Sequence, residues 1–179
     1  MVNRNQRLGW QSTNRLNLIA RPVELYLESG VLRGQLKTAH PRLSDHLRDA
    51  DESLVLDGAV VVPYRAKEPL ASSATVLVQK RRVLFAVDLE AQPGVESMRV
   101  AREAHQVVLS SGPFWLRGTV HLPLGGELRS YFESSAVGFV PLTSATVVGR
   151  ENATPRTLLV NLALVGAVTS LTEPAVPTE

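Results

Sequence analysis

The sequence predicts a mainly β protein: two tandem five-stranded antiparallel small barrels, each with a short helix between its second and third strands. Three observations predict it. Apolar residues alternate with polar ones over most of the chain, which is the period of half-buried strands. One residue pattern occurs twice, so that Leu32-Arg33-Gly34 returns as Leu116-Arg117-Gly118, 84 positions later. Hydrophobic residues make up 44% and charged residues 20% of the 179, enough apolar surface for a packed core.

In the first copy, alternation marks strands near 22–29, 31–38, 53–62, 74–79 and 82–89. Gly30 suits a tight turn between the first two strands, and Gly34 marks a bend or a close backbone approach. Pro41 opens a short helix in which Leu43 and Leu47, four apart, share one face. Pro63, Pro69 and Ser72-Ser73 place an exposed connection at 63–73. The second copy repeats the plan with strands near 106–111, 114–121, 137–148, 156–162 and 164–171, and a turn of helix near 126–133. The correspondence runs on through Leu43 and Leu128, Leu47 and Phe132, Leu56 and Leu142, Ala59 and Ala145, and Thr75-Val-Leu-Val78 and Thr157-Leu-Leu-Val160. Its offset drifts from 84 to 86 and then to 82, as loop insertions produce. The expected organisation is a basic N-terminal arm at 1–21, barrel one at 22–90, a linker with Pro93 and Gly94 at 91–103, barrel two at 104–172 and a disordered tail at 173–179.

The order of strand, glycine turn, strand with an internal glycine, strand ending in Ala-x-Val, then two strands split by a short turn resembles the Sm-like small β-barrel. The resemblance covers Val23 to Leu89 and again Val107 to Leu171. It implies the barrel fold and leaves RNA binding unsupported. The family's Asp-x-x-x-Asn element is replaced by Arg42-Leu-Ser-Asp-His-Leu47 and by Gly125-Gly-Glu-Leu128. Its Arg-Gly pair is replaced by Gln79-Lys-Arg-Arg82 and Asn161-Leu-Ala163. The Arg-Leu-Ser-Asp string is also similar to uncharacterised bacterial proteins, which implies no function.

Charge is unevenly placed. Arg4, Arg7, Arg15 and Arg21 precede the first acidic residue, Glu24, leaving 15 basic against 17 acidic residues beyond them despite a pI near 9.3. A positive arm on a nearly neutral body is expected, with Arg4, Arg7, Arg15, Lys80, Arg81 and Arg82 as the candidate contacts to nucleic acid or another anion. Aromatic residues are only 5%, too few for a base-stacking platform. No stretch reaches the roughly 18 apolar residues of a membrane span, and no apolar run follows the basic start, so a cytoplasmic protein without membrane insertion is expected.

Absence of cysteine excludes disulfides, thiolate metal sites and cysteine nucleophiles. No phosphate-binding glycine motif occurs. His40, His46, His105 and His121 do not coincide between copies, and His40 and His46, six apart, lack the i, i+4 spacing that aims two ligands from one helical face. Ser44-Asp45-His46 has triad residue types, but adjacent residues cannot converge on one reacting atom. The sequence thus points to a non-enzymatic structural or protein-interaction module with no cofactor and no metal. Weak nucleic-acid binding is the alternative. The run Leu158 to Val168 is too uniformly apolar for a half-exposed sheet. A strand pair buried on both faces is expected there, with Leu158, Val160, Leu162 and Leu164 as the candidate interface to copy one, to a protein partner or to a second chain.

Overall fold

The computed structural model describes residues 18–66, 68–90, 101–134, 138–149, 154 and 156–171. The alternating segments form strands β1 (Ile19–Tyr26), β2 (Gly30–Thr38), β3 (Ser53–Pro63), β4 (Ala71–Gln79) and β5 (Phe85–Asp88), then β6 (Arg102–Ser111), β7 (Phe114–Pro123), β8 (Phe139–Val147), β9 (Arg156–Asn161) and β10 (Val165–Ser170). Helix α1 (Leu43–Arg48) lies between β2 and β3, and α2 (Leu128–Glu133) between β7 and β8. Single 3-10 turns, Lys80–Arg82 and Leu162–Leu164, precede β5 and β10.

These strands make one antiparallel sheet in the order β10-β6-β7-β8-β9-β5-β1-β2-β3-β4. The mainly β expectation holds, but the ladders do not close into two separate barrels. Strand β5 pairs with β9, so the first five strands continue into the last five and one open sheet results. Two boundaries also move: β1 begins at Ile19, inside the expected arm, and β6 at Arg102, inside the expected linker. Ile19 faces Thr38 and Arg102 faces Pro123 across their ladders. Backbone pairing extends these strands past the point where apolar alternation ends.

The two groups of five share one pairing scheme. Val23 faces Gly34 as Val107 faces Gly118, Leu25 faces Ala86 as Leu109 faces Val168, and Leu54 faces Val78 as Val140 faces Val160. Register also shifts at the same place in each, between Arg33 and Gln35 and between Arg117 and Thr119. There the chain comes too close for a side chain. A Cβ on Gly118 would lie 2.7 Å from Leu142 Cγ and 3.1 Å from Ala145 Cα, and one on Gly34 would lie 3.2 Å from Ala59 Cα. Opposite each glycine the partner strand takes a left-handed residue, Gly58 (φ 57°) or Ser144 (φ 48°), the geometry of a bulge that bends a strand. Gly30, expected in a turn, instead starts β2, where a Cβ would meet Val62 O at 2.6 Å.

Bending gives each group an inner face and a core. Leu25, Leu36, Leu54 and Leu56 centre the first, with Leu43 and Leu47 of α1 closing it. Leu109, Leu116, Leu122 and Leu142 centre the second, against which Leu128 and Phe132 of α2 pack. The cores exchange residues at the β5–β9 seam: Phe139 and Leu159 enter the first, while Leu84, Phe85 and Val87 enter the second. Each such side chain, removed from water, contributes about 1.5–3 kcal/mol, so the seam is a main source of stability.

Candidate functional site

Among the described residues both ends of the sheet are open edges: β4 has a neighbour only in β3, and β10 only in β6. Unpaired N–H and C=O groups along an edge are a template for another strand, and edges are usually blunted with charge or proline. Neither Ala71–Gln79 nor Val165–Ser170 contains a charged residue or a proline. Leu77 on β4 is 68% exposed, and Ala167, Thr169 and Ser170 on β10 are exposed.

The seam shows what such edges do when joined. Phe85 faces Val160, Ala86 faces Leu159 and Val87 faces Leu158. The Asn161 N–H donates to Leu84 O at 2.9 Å, and its Nδ2 donates to Val83 O at 3.1 Å. Val78 and Val160 hold matching places beside β3 and β8, so Leu77 corresponds to Leu159. Leu159 is 7% exposed within the seam. Of the expected interface residues, Leu158 and Val160 therefore lie at the junction of the two groups, whereas Leu162 and Leu164 sit half-buried in the 3-10 turn before β10. The apolar run is buried on both faces only as far as Asn161; β10, at the sheet's end, is largely exposed.

The basic residues divide. Arg4, Arg7 and Arg15 lie outside the described residues. Lys80 is buried: its Nζ donates to His46 O at 2.7 Å and Asp49 O at 3.2 Å, tying the end of α1 to the turn before β5. Burial lowers its pKa, opposed by the carboxylates of Asp49 and Asp51. Arg81 and Arg82 are exposed, with Arg81 Nε donating to Gln79 Oε1 at 3.0 Å.

His40 and His46, whose six-residue spacing excludes a shared helical face, nonetheless meet with Asp49 in a polar cluster around α1, because a turn and not helical periodicity joins them. His40 Nε2 lies 3.0 Å from Asp49 Oδ2, and the imidazoles of His40 and His46 are 5.6 Å apart. Buried Thr38 is the anchor: its Oγ1 accepts from the His40 N–H at 2.9 Å and lies 3.1 Å from His46 Nδ1. Burial, then Lys80 and His40, push the His46 pKa down, so its ring is neutral near pH 7. The hydrogen bond from His40 holds the Asp49 pKa below the ordinary carboxylate value.

A cavity of about 590 Å³ opens between α1 on one side and β6, β7 and α2 on the other, lined by Arg48, Asp49, Arg102, His121 and Tyr131. A second, about 430 Å³, lies at the seam and is lined by Glu24, Tyr26, Arg33, Phe85 and Arg156. Among the described residues no helix is long and apolar enough to cross a membrane. No family model, curated protein or solved structure matches the chain.

Proposed function

We propose that this chain is a non-enzymatic structural module, two copies of one small-barrel unit of the Sm-like kind, which associates with further copies of itself through its strand edges. The observation that carries this reading is the β5–β9 seam. It joins the fifth strand of one unit to the fourth strand of the other, and among the described strands one of each kind, β4 and β10, ends the sheet. The contact made inside the molecule can then be repeated between molecules, with Val168 facing Leu77, Ala167 facing Val78 and Thr169 facing Val76. Exposed Leu77 would gain the burial that Leu159 has, worth about 1.5–3 kcal/mol. The association is head-to-tail, so it closes into a ring if its rotation permits and otherwise propagates. The alternative, weak nucleic-acid binding, draws on Arg81 and Arg82 alone within the 3-10 turn, where the Lys80 ammonium is engaged by backbone carbonyls.

Light scattering of the purified chain tests it. The parent is expected at multiples of its 19.5 kDa mass, and Leu77→Lys or Ala167→Lys, each at an exposed position, at the single mass with unchanged circular dichroism. Because the chain has no cysteine, mixing a Leu77→Cys chain with a Val168→Cys chain reports register directly: a disulfide joining the two is expected. A parent that stays monomeric at all concentrations would overturn the proposal.

A further inference from the structure

We propose that His40, His46 and Asp49 form a binding site for one divalent transition-metal ion of the zinc class, independent of the strand edges. Two imidazoles and a carboxylate are a donor set that such ions take, leaving a further position open to water. One ligand atom from each residue lies within 4.8 Å of the other two. The 3.0 Å between His40 Nε2 and Asp49 Oδ2 is close to the roughly 3.3 Å edge of a tetrahedron whose bonds are about 2.0–2.1 Å. The separations involving His46, within 4.8 Å, shorten toward that edge when the ion binds.

The surroundings hold these side chains in place. Thr38 Oγ1 lies 3.1 Å from His46 Nδ1, an outer contact that orients a ligating imidazole through its other nitrogen, and it accepts from the His40 backbone N–H. The end of α1 is fixed from below, because Lys80 Nζ bonds the carbonyls of His46 and Asp49. That ammonium acts electrostatically on His46. It is directed at carbonyl oxygens, and the carboxylates of Asp49 and Asp51 act on it. The His40 and Asp49 side chains are 38% and 29% exposed, so an ion can reach them from solvent. Gly125, Tyr131 and Ser134 stand at the matching positions of the second unit, so one ion per chain is expected.

Calorimetric titration of the metal-stripped full chain with zinc, and the visible absorption of its cobalt form, test the proposal. One equivalent should bind, and the cobalt spectrum should show the intense bands of a low-coordinate site. His40→Ala and Asp49→Asn, both at partly exposed side chains, should each weaken binding at least about tenfold, while His121→Ala and Leu77→Lys leave it unchanged. Retained secondary structure in the circular dichroism of each variant separates loss of ligand from loss of fold. Absence of stoichiometric binding by the parent, or equal affinity in parent and the His40→Ala, Asp49→Asn double variant, would overturn it.

Discussion

Tyr26 ends β1 at the seam, where its ring stacks on Phe85 at 4.3 Å and meets the edge of Phe114 at 6.0 Å. Its hydroxyl donates to Glu24 Oε2 at 3.0 Å. Burial, and then the Glu24 carboxylate, push its pKa up to about 12. Ionisation therefore favours the unfolded chain, whose tyrosines titrate near pH 10. The neutral phenol's contribution is complete below pH 10 and is lost as pH rises through 12. Tyr26→Phe keeps the ring contacts and removes this titration. Melting temperatures measured from pH 9 to 12 should fall more steeply for the parent than for Tyr26→Phe; parallel curves would refute the assignment. No sequence pattern announced this residue, because its environment comes from Phe85 and Phe114, distant in the chain. The polar cluster shows a related limit: the six-residue spacing of His40 and His46 excludes one helical face but not a turn followed by a helix.

At the scale of elements, the sequence carried a great deal, and the paired bulges show why. Leu-Arg-Gly recurred because both second strands need a residue without a side chain against Ala59 or Ala145, and the alanines recurred for the same reason. Ser144 did not stand out, since its partner in the first unit is Gly58 and serine carries no strong left-handed signal. Left-handed backbone costs a non-glycine residue roughly 1–2 kcal/mol, which glycine's greater freedom in the unfolded state offsets in part. Ser144→Gly should therefore stabilise the protein by about 0.5–1 kcal/mol. Gly118→Ala should destabilise it by about 1–3 kcal/mol, the usual cost of overpacking, because Leu142 and the Ala145 backbone must yield. Urea midpoints give both signs in one experiment, and a neutral Gly118→Ala would mean the strands are not tightly apposed there. The run from Leu158 onward shows the limit of such reading. Apolar composition predicts burial on both faces, but not that burial stops at Asn161, where the 3-10 turn delivers β10 to the far end of the sheet.

For the molecule as a whole, the consequential step is one that local periodicity does not encode, namely which edge meets which. Alternation and repetition predict two self-contained units, whereas the ladders run through β5 and β9 and each core borrows side chains across the seam. Units that share a core should not unfold separately, since parting them exposes Phe85 and Val87 on one side and Phe139 and Leu159 on the other. Phe85 is the most informative position: it is 1% exposed, belongs to the first unit by sequence and to the second core by packing, and touches both Tyr26 and Phe114. Phe85→Ala should cost about 3–5 kcal/mol, as large aromatic truncations in cores do. Scanning calorimetry of the monomeric Leu77→Lys background should show one transition with equal calorimetric and van't Hoff enthalpies. Adding Phe85→Ala should move that transition to lower temperature without splitting it. Two separated transitions, with only the upper or the lower one displaced, would mean that the units stand alone and that the seam is a contact between finished domains.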